Sequence, residues 1–155
     1  MACQVSSSQN GVAMKTNEKG LEIIKYFEGF SPIAYLCPAG YSTIGYGHLI
    51  KQNEVFESIT LAKAEELLIK DLRKAENSVK KLIYQPLNEN QFSALVSFTF
   101  NLGSGSLQRS TLRQKINRGE FEDLKDEFKR WIIAGGIKLR GLYERRKAEA
   151  ELFYA

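Results

Sequence analysis

The sequence predicts an α+β fold, with a small β-containing lobe, a larger helical lobe and one long helix joining them. Three observations carry this. Residues 30–50, FSPIAYLCPAGYSTIGYGHLI, set five Gly or Pro residues and four aromatics between short apolar runs, which is the composition of short strands linked by tight turns. Residues 60–82 repeat apolar side chains at helical spacing for about twenty residues, a long amphipathic helix. The next stretch, ENQFSALVSFTFNLG, is apolar nearly all round, as expected of a helix buried at the centre of a helical lobe.

The elements follow in order. Residues 1–15 are rich in Ser, Gln, Asn and Gly and read as a mobile extension, leaving 16–155 as one domain. Thr16 or Asn17 can cap a first helix whose apolar spacing runs through Leu21, Ile24 and Phe27, with Gly29 as its stop. After the strands, Thr60 caps the long helix, although Lys63 stands where a capping box needs Glu or Gln. Ala64, Leu67, Leu68, Asp71, Leu72, Ala75 and Val79 trace its mostly apolar face. Pro86 breaks it, Asn88 caps the buried helix, and Gly103 and Gly105 end that helix. Shorter helices are predicted at 111–118 and 120–132. GGIKLRGL then leads into a last helix through ERRKAEAELF. A cleft between the lobes is the natural ligand site.

Composition narrows the function classes. The chain has 155 residues, 43% hydrophobic and 26% charged, which excludes collagen, low-complexity disorder and small disulfide scaffolds. No stretch approaches the ~20 apolar residues of a membrane span, and the N-terminus lacks an apolar h-region. Neither stable membrane insertion nor a secretory signal is expected. The net charge is +4. Residues 1–80 carry nine charges of each sign, so the excess lies in residues 81–155, with thirteen basic and nine acidic. Such a surface suits an anionic partner such as nucleic acid, acidic lipid or bacterial wall, or serves solubility alone. No nucleic-acid-binding motif accompanies it, so nucleic acid is not expected. Cys3 and Cys37 form no CxxC pair and His48 is the single histidine, so no metal site is expected.

Chemistry concentrates in residues 28–48. Glu28 ends the first helix between Phe27 and Phe30, and a carboxyl among apolar groups suits a general acid. Cys37 follows nine residues later in a turn, Thr43 six further on, and His48 closes the hairpin. The alternative is a tight hairpin whose glycines only serve turns and whose Glu28 is a solvated helix end.

EGFSPIAYLCPAGYSTIGYGH resembles the active-site signature of phage-type lysozymes, glycoside hydrolase family 24. ITLAKAEELL, NQFSALVSFTFNLGSGSL and GLYERRKAEAELF are similar to that family's interlobe, buried and closing helices, in the same order over residues 17–154. The resemblance implies a lysozyme-like fold and hydrolysis of the β-1,4 bond between N-acetylmuramic acid and N-acetylglucosamine in peptidoglycan. It implies Glu28 as proton donor, Thr43 as the residue positioning water, and Leu49, Phe100 and Thr111 as substrate contacts. Arg145 or Arg146 would pair near Glu28; alternatively both are helix charges beside Glu149. Apolar packing is the alternative for Leu49 and Phe100. His48 is expected to support the hairpin rather than catalyse. Cys37 stands where most members have a catalytic Asp. As thiolate it would assist the attacking water or stabilise the oxocarbenium-like state.

The implied role is an endolysin, monomeric and without cofactor. It would be made in the host bacterial cytoplasm and need a holin-type factor to reach the wall. Two alternatives are a Cys37/His48 thiol hydrolase of wall peptides and a non-catalytic wall-binding protein. A Cys3–Cys37 disulfide that blocks the site is a further hypothesis.

Overall fold

The computed structural model describes residues 14–155; Cys3 and most of the expected extension lie outside the described residues. Helix α1 spans Glu18–Glu28, followed by strands β1 (Ser31–Leu36), β2 (Ser42–Gly45) and β3 (His48–Leu49), the long helix α2 (Leu61–Leu82) and the central helix α3 (Glu89–Leu102). Then come α4 (Ser104–Arg109), α5 (Thr111–Asn117), α6 (Leu124–Lys129), strands β4 (Ile133–Ala134) and β5 (Ile137–Lys138), and α7 (Arg140–Phe153). The α+β class and the long connecting helix are as the sequence predicts. Among the described residues, no helix is long and apolar enough to cross a membrane.

Capping explains where the main helices begin. Asn17, not Thr16, caps α1 by accepting from the Gly20 N–H, while Thr16 donates its N–H and hydroxyl to Glu76 on α2. Thr60 caps α2 through the Lys63 N–H. Asn88 and Gln91 form a reciprocal capping box at α3, satisfying two donors that the first turn would otherwise leave open.

Three elements depart from expectation. Gly103, at φ +91, does end α3, but Gly105 sits inside α4. The helix expected at 120–132 shrinks to Leu124–Lys129, entered through Asp123 in the left-handed region at φ 61. Beyond it, Ile133–Lys138 form an antiparallel hairpin that the reading as a connector did not anticipate. Gly135 and Gly136 both have positive φ, +58 and +79, as the turn of a two-residue hairpin requires.

The core is helical. Every residue of α3 from Phe92 to Thr99 is buried, and α3 packs against α1, α2, α4 and α7. Leu68, Leu72 and Val79 of α2 meet Leu21 and Ile24 of α1, Phe128 of α6 and Phe153 of α7 in one apolar cluster around it. The sheet runs β1-β2-β3, antiparallel throughout. Its middle strand leans on α2: Ile44 is fully buried, and a side chain at Gly45 would come within 3.2 Å of Ala64. One face of α2 therefore supports the helical core and its N-terminal end carries the sheet.

Candidate active site

Glu28 is the last residue of α1, and Gly29, at φ +74, turns the chain straight into β1. The Glu28 carboxylate does not lie in a purely apolar pocket, as its sequence neighbours had suggested. It meets the guanidinium of Arg145 on α7 at 2.7 Å and is 23% exposed. On the sheet side it abuts the β2–β3 turn, where a side chain at Gly47 (φ +83) would sit 3.2 Å from Oε1. Glycine there meets two demands at once, the left-handed backbone and the close approach. A cavity of roughly 470 Å³ opens over Glu28, lined also by Phe27, Asn101, Leu139 and Arg145.

Of the two candidate arginines, Arg145 makes the pair. Its guanidinium also lies 5.9 Å from the centre of the Phe27 ring. Arg146 is fully buried and turns the other way, to Glu149 (2.7 Å), the Asn101 side chain (2.9 Å) and the Trp131 carbonyl (3.5 Å). The alternative reading of both arginines as partners of Glu149 also holds, because Arg145 Nε reaches Glu149 at 3.3 Å.

Cys37 follows β1 directly and Thr43 lies on β2, opposite Tyr35 in the register. The turn between them folds on itself, with the Cys37 N–H donating to the Tyr41 carbonyl and the Gly40 N–H to the Cys37 carbonyl. The Thr43 hydroxyl donates to the same Tyr41 carbonyl at 2.9 Å. Cys37 is half-exposed. The Tyr41 backbone lowers its thiol pKa most, burial works against it, and the Ala39 backbone, the Thr43 hydroxyl and the Gly40 backbone lower it further, leaving it below its ordinary value. The turn thus favours the thiolate relative to a free cysteine.

His48 is buried on β3 and held at both ring nitrogens, Nδ1 to Asp71 of α2 at 2.7 Å and Nε2 to Glu54 at 2.9 Å. Burial pushes the imidazole down, but hydrogen bonds and charge from Glu54 and Asp71 outweigh it and raise the pKa above its ordinary value. His48 is thus held between α2 and the loop that follows β3. Sequence reasoning missed both partners, although Asp71 was visible as the one acid on an otherwise apolar helix face.

The expected substrate contacts divide. Leu49 and Phe100 line one cavity of roughly 560 Å³ between β3, α2 and the end of α3. Thr111 lines another, with Arg109, Arg130 and Trp131. Among the described residues, no cluster of three or more His, Cys, Asp or Glu could hold a metal ion.

The phage lysozyme family model matches residues 25–149. The chain is 39% identical over 142 residues to the endolysin of Bacillus phage B103, covering 90% of this chain but 54% of that protein. It therefore spans about half of that relative. It is 38% identical to the endolysin of Acyrthosiphon pisum secondary endosymbiont phage 1, covering 90% of this chain and 98% of that one. Among solved structures, an endolysin from Escherichia coli O157:H7 phage FAHEc1 superposes with a TM-score of 0.82 at 34% identity, covering 92% of this chain and 94% of the other. A variant of P22 lysozyme gives 0.83 at 33% identity, covering 92% and 99%. The chain shares the fold of these solved structures, and it belongs to the phage lysozyme family.

Proposed function

We propose that the chain is a muramidase of the endolysin type, hydrolysing the β-1,4 bond between N-acetylmuramic acid and N-acetylglucosamine in bacterial peptidoglycan. The observation that carries this is the placement of Glu28, held by a buried arginine at the mouth of a cavity and against the hairpin whose other end bears Cys37 and Thr43. Glu28 in its acid form gives its proton to the glycosidic oxygen as that bond breaks. Water, positioned by the Thr43 hydroxyl, adds to the anomeric carbon and gives up a proton to the Cys37 thiolate; Cys37 then returns a proton to solvent and Glu28 takes one up. The thiolate also stabilises positive charge developing on the sugar ring. One carboxylate and one thiolate thus occupy the roles that two carboxylates fill in most glycosidases. Leu49 and Phe100 supply apolar contact for the glycan, and Thr111 a polar one further along the helical lobe.

The role is that of an endolysin, acting as a monomer on the host wall after release from the cytoplasm by a holin-type factor. The surplus of four positive charges favours an anionic wall. The rival thiol hydrolase finds no support, because both nitrogens of His48 are bound to carboxylates and neither is free to activate Cys37.

Product analysis on purified peptidoglycan tests the reading. New reducing ends without new amines are expected. Glu28→Gln, which keeps shape and loses the proton, should lower their release by at least ~100-fold while the protein stays folded by circular dichroism. Wall clearing near the parent rate by folded Glu28→Gln would remove Glu28 from its role.

A further inference from the structure

Among the described residues, the most buried ionic cluster lies behind Glu28. Glu149 on α7 is completely buried, Arg146 likewise, and Arg145 is 3% exposed. Glu149 Oε2 accepts from the Ser97 hydroxyl at 2.5 Å, from Arg145 Nε at 3.3 Å and from Arg146 Nη2 at 3.1 Å. Its other oxygen faces Arg146 Nε at 2.7 Å, an ion pair at a poor angle for a hydrogen bond. Arg145 is the shared member. Its Nη1 meets Glu28, its Nε faces both Ser97 Oγ and Glu149, and its Nη2 donates to the Ser97 carbonyl at 3.3 Å. Two carboxyl groups and two guanidiniums thus form one chain from the core to the cleft. Burying such a set costs several kcal/mol per ion before pairing, and an apolar set of equal volume often serves stability as well. Stability alone does not explain why it is built so as to touch Glu28.

The chemistry gives a reason. An arginine devoted to one carboxylate holds it ionised, yet a general acid must carry a proton when substrate arrives. We propose that Glu149 is a positioning residue for the hydrolysis: with Ser97 it fixes the Arg145 guanidinium and takes part of its charge, so that Glu28 is oriented by Arg145 without being locked as a carboxylate. This rests on Glu28 being the acid. The remaining charged and titratable groups around Glu28 are accounted for. Lys25 on its own helix is paired with Glu65 of α2 at 2.6 Å. Arg140 and the Asn101 amide line the cavity from α7 and α3. Around Glu149 stand Arg145, Arg146 and Ser97, with Asn101 reached through Arg146.

The test is the pH dependence of kcat and KM on solubilised peptidoglycan. In Glu149→Gln, Arg145 turns its whole charge on Glu28. The alkaline limb of the kcat profile should move ~1 pH unit toward acid, giving roughly tenfold less activity on that limb with KM unchanged. Because the single variant leaves two guanidiniums to one acid, the double variant Arg146→Met, Glu149→Gln is measured beside it. That variant removes the buried excess charge, and its limb should move the same way. A purely structural Glu149 would lower the yield of active enzyme equally at all pH values. An unmoved limb in the double variant, or in a folded Glu149→Gln, overturns the proposal. Glu28→Gln separates the two questions: if it stays active the acid is misassigned, and if it is inactive while the limb stays put, only Glu149 is.

Discussion

At the residue scale, Cys37 is the position with the most chemistry left open. In the proposed mechanism a thiol takes the place of the second carboxylate, and the backbone of its turn, Tyr41 above all, lowers its pKa. The anion is thereby favoured, so thiolate is present at a lower pH than in a free cysteine. Iodoacetamide should therefore modify Cys37 with a pH midpoint below that of free cysteine, and alkylation should stop wall hydrolysis by filling the site. Cys37→Ser keeps the size but hardly ionises, and should lose at least ~10-fold in kcat, in the range of general acid–base effects. Cys37→Asp restores an anion and should stay active. Full rate in Cys37→Ser, measured by reducing-end release, would show the thiolate to be dispensable. Glu28, Cys37 and Thr43 stood out as candidates because they lie on one short segment whose pattern resembles the family's signature. The choice between Arg145 and Arg146 was not legible. Adjacent residues on a helix point about 100° apart, and only the packing of α7 against α1 and α3 decides which one faces Glu28.

Elements were legible where apolar periodicity and a cap coincide. Both α2 and α3 begin one residue after the caps expected, Thr60 and Asn88. The misreadings fall between residues 103 and 139, where segments are short. Gly105 looks like a stop, but a six-residue helix needs little propensity once Leu107 is fully buried in the core. The 133–138 hairpin shows a Gly-Gly turn, yet its strands are only two residues long and too short for alternation to register. At the start of α3 the capping box carries a definite cost. Asn88→Ala removes the acceptor for the Gln91 N–H and should destabilise the protein by about 1 kcal/mol, seen as a lower urea midpoint with an unchanged slope. Asn88→Ser should recover most of the loss, since Ser caps nearly as well. If Asn88→Ala unfolds at the parent midpoint, the box contributes nothing beyond what water supplies.

Across the whole molecule, the sheet must hold its position relative to the helical lobe, because Glu28 at the end of α1 abuts the β2–β3 turn. His48 spans that joint, tying β3 to α2 through Asp71 and to the following loop through Glu54. Its pH response follows from linkage. The pKa of His48 is raised from its ordinary 6.5. Its contribution is therefore complete below that value and disappears as pH climbs through the folded-state value. Glu54 behaves oppositely. The Lys51 N–H, then His48, hold its carboxyl below its ordinary 4.5. Its contribution is complete above that value and disappears as pH falls through the folded-state value. The two windows overlap between about 4.5 and 6.5, where a protonated imidazole faces the Glu54 carboxylate. The melting temperature should peak in that interval and fall on both sides. His48→Asn should lower the peak and flatten the decline on the alkaline side, while Glu54→Gln should weaken both limbs. Differential scanning calorimetry from pH 3 to pH 9 reads this directly. An alkaline decline that survives unchanged in His48→Asn would place the pH dependence elsewhere and leave the joint between the lobes to apolar packing.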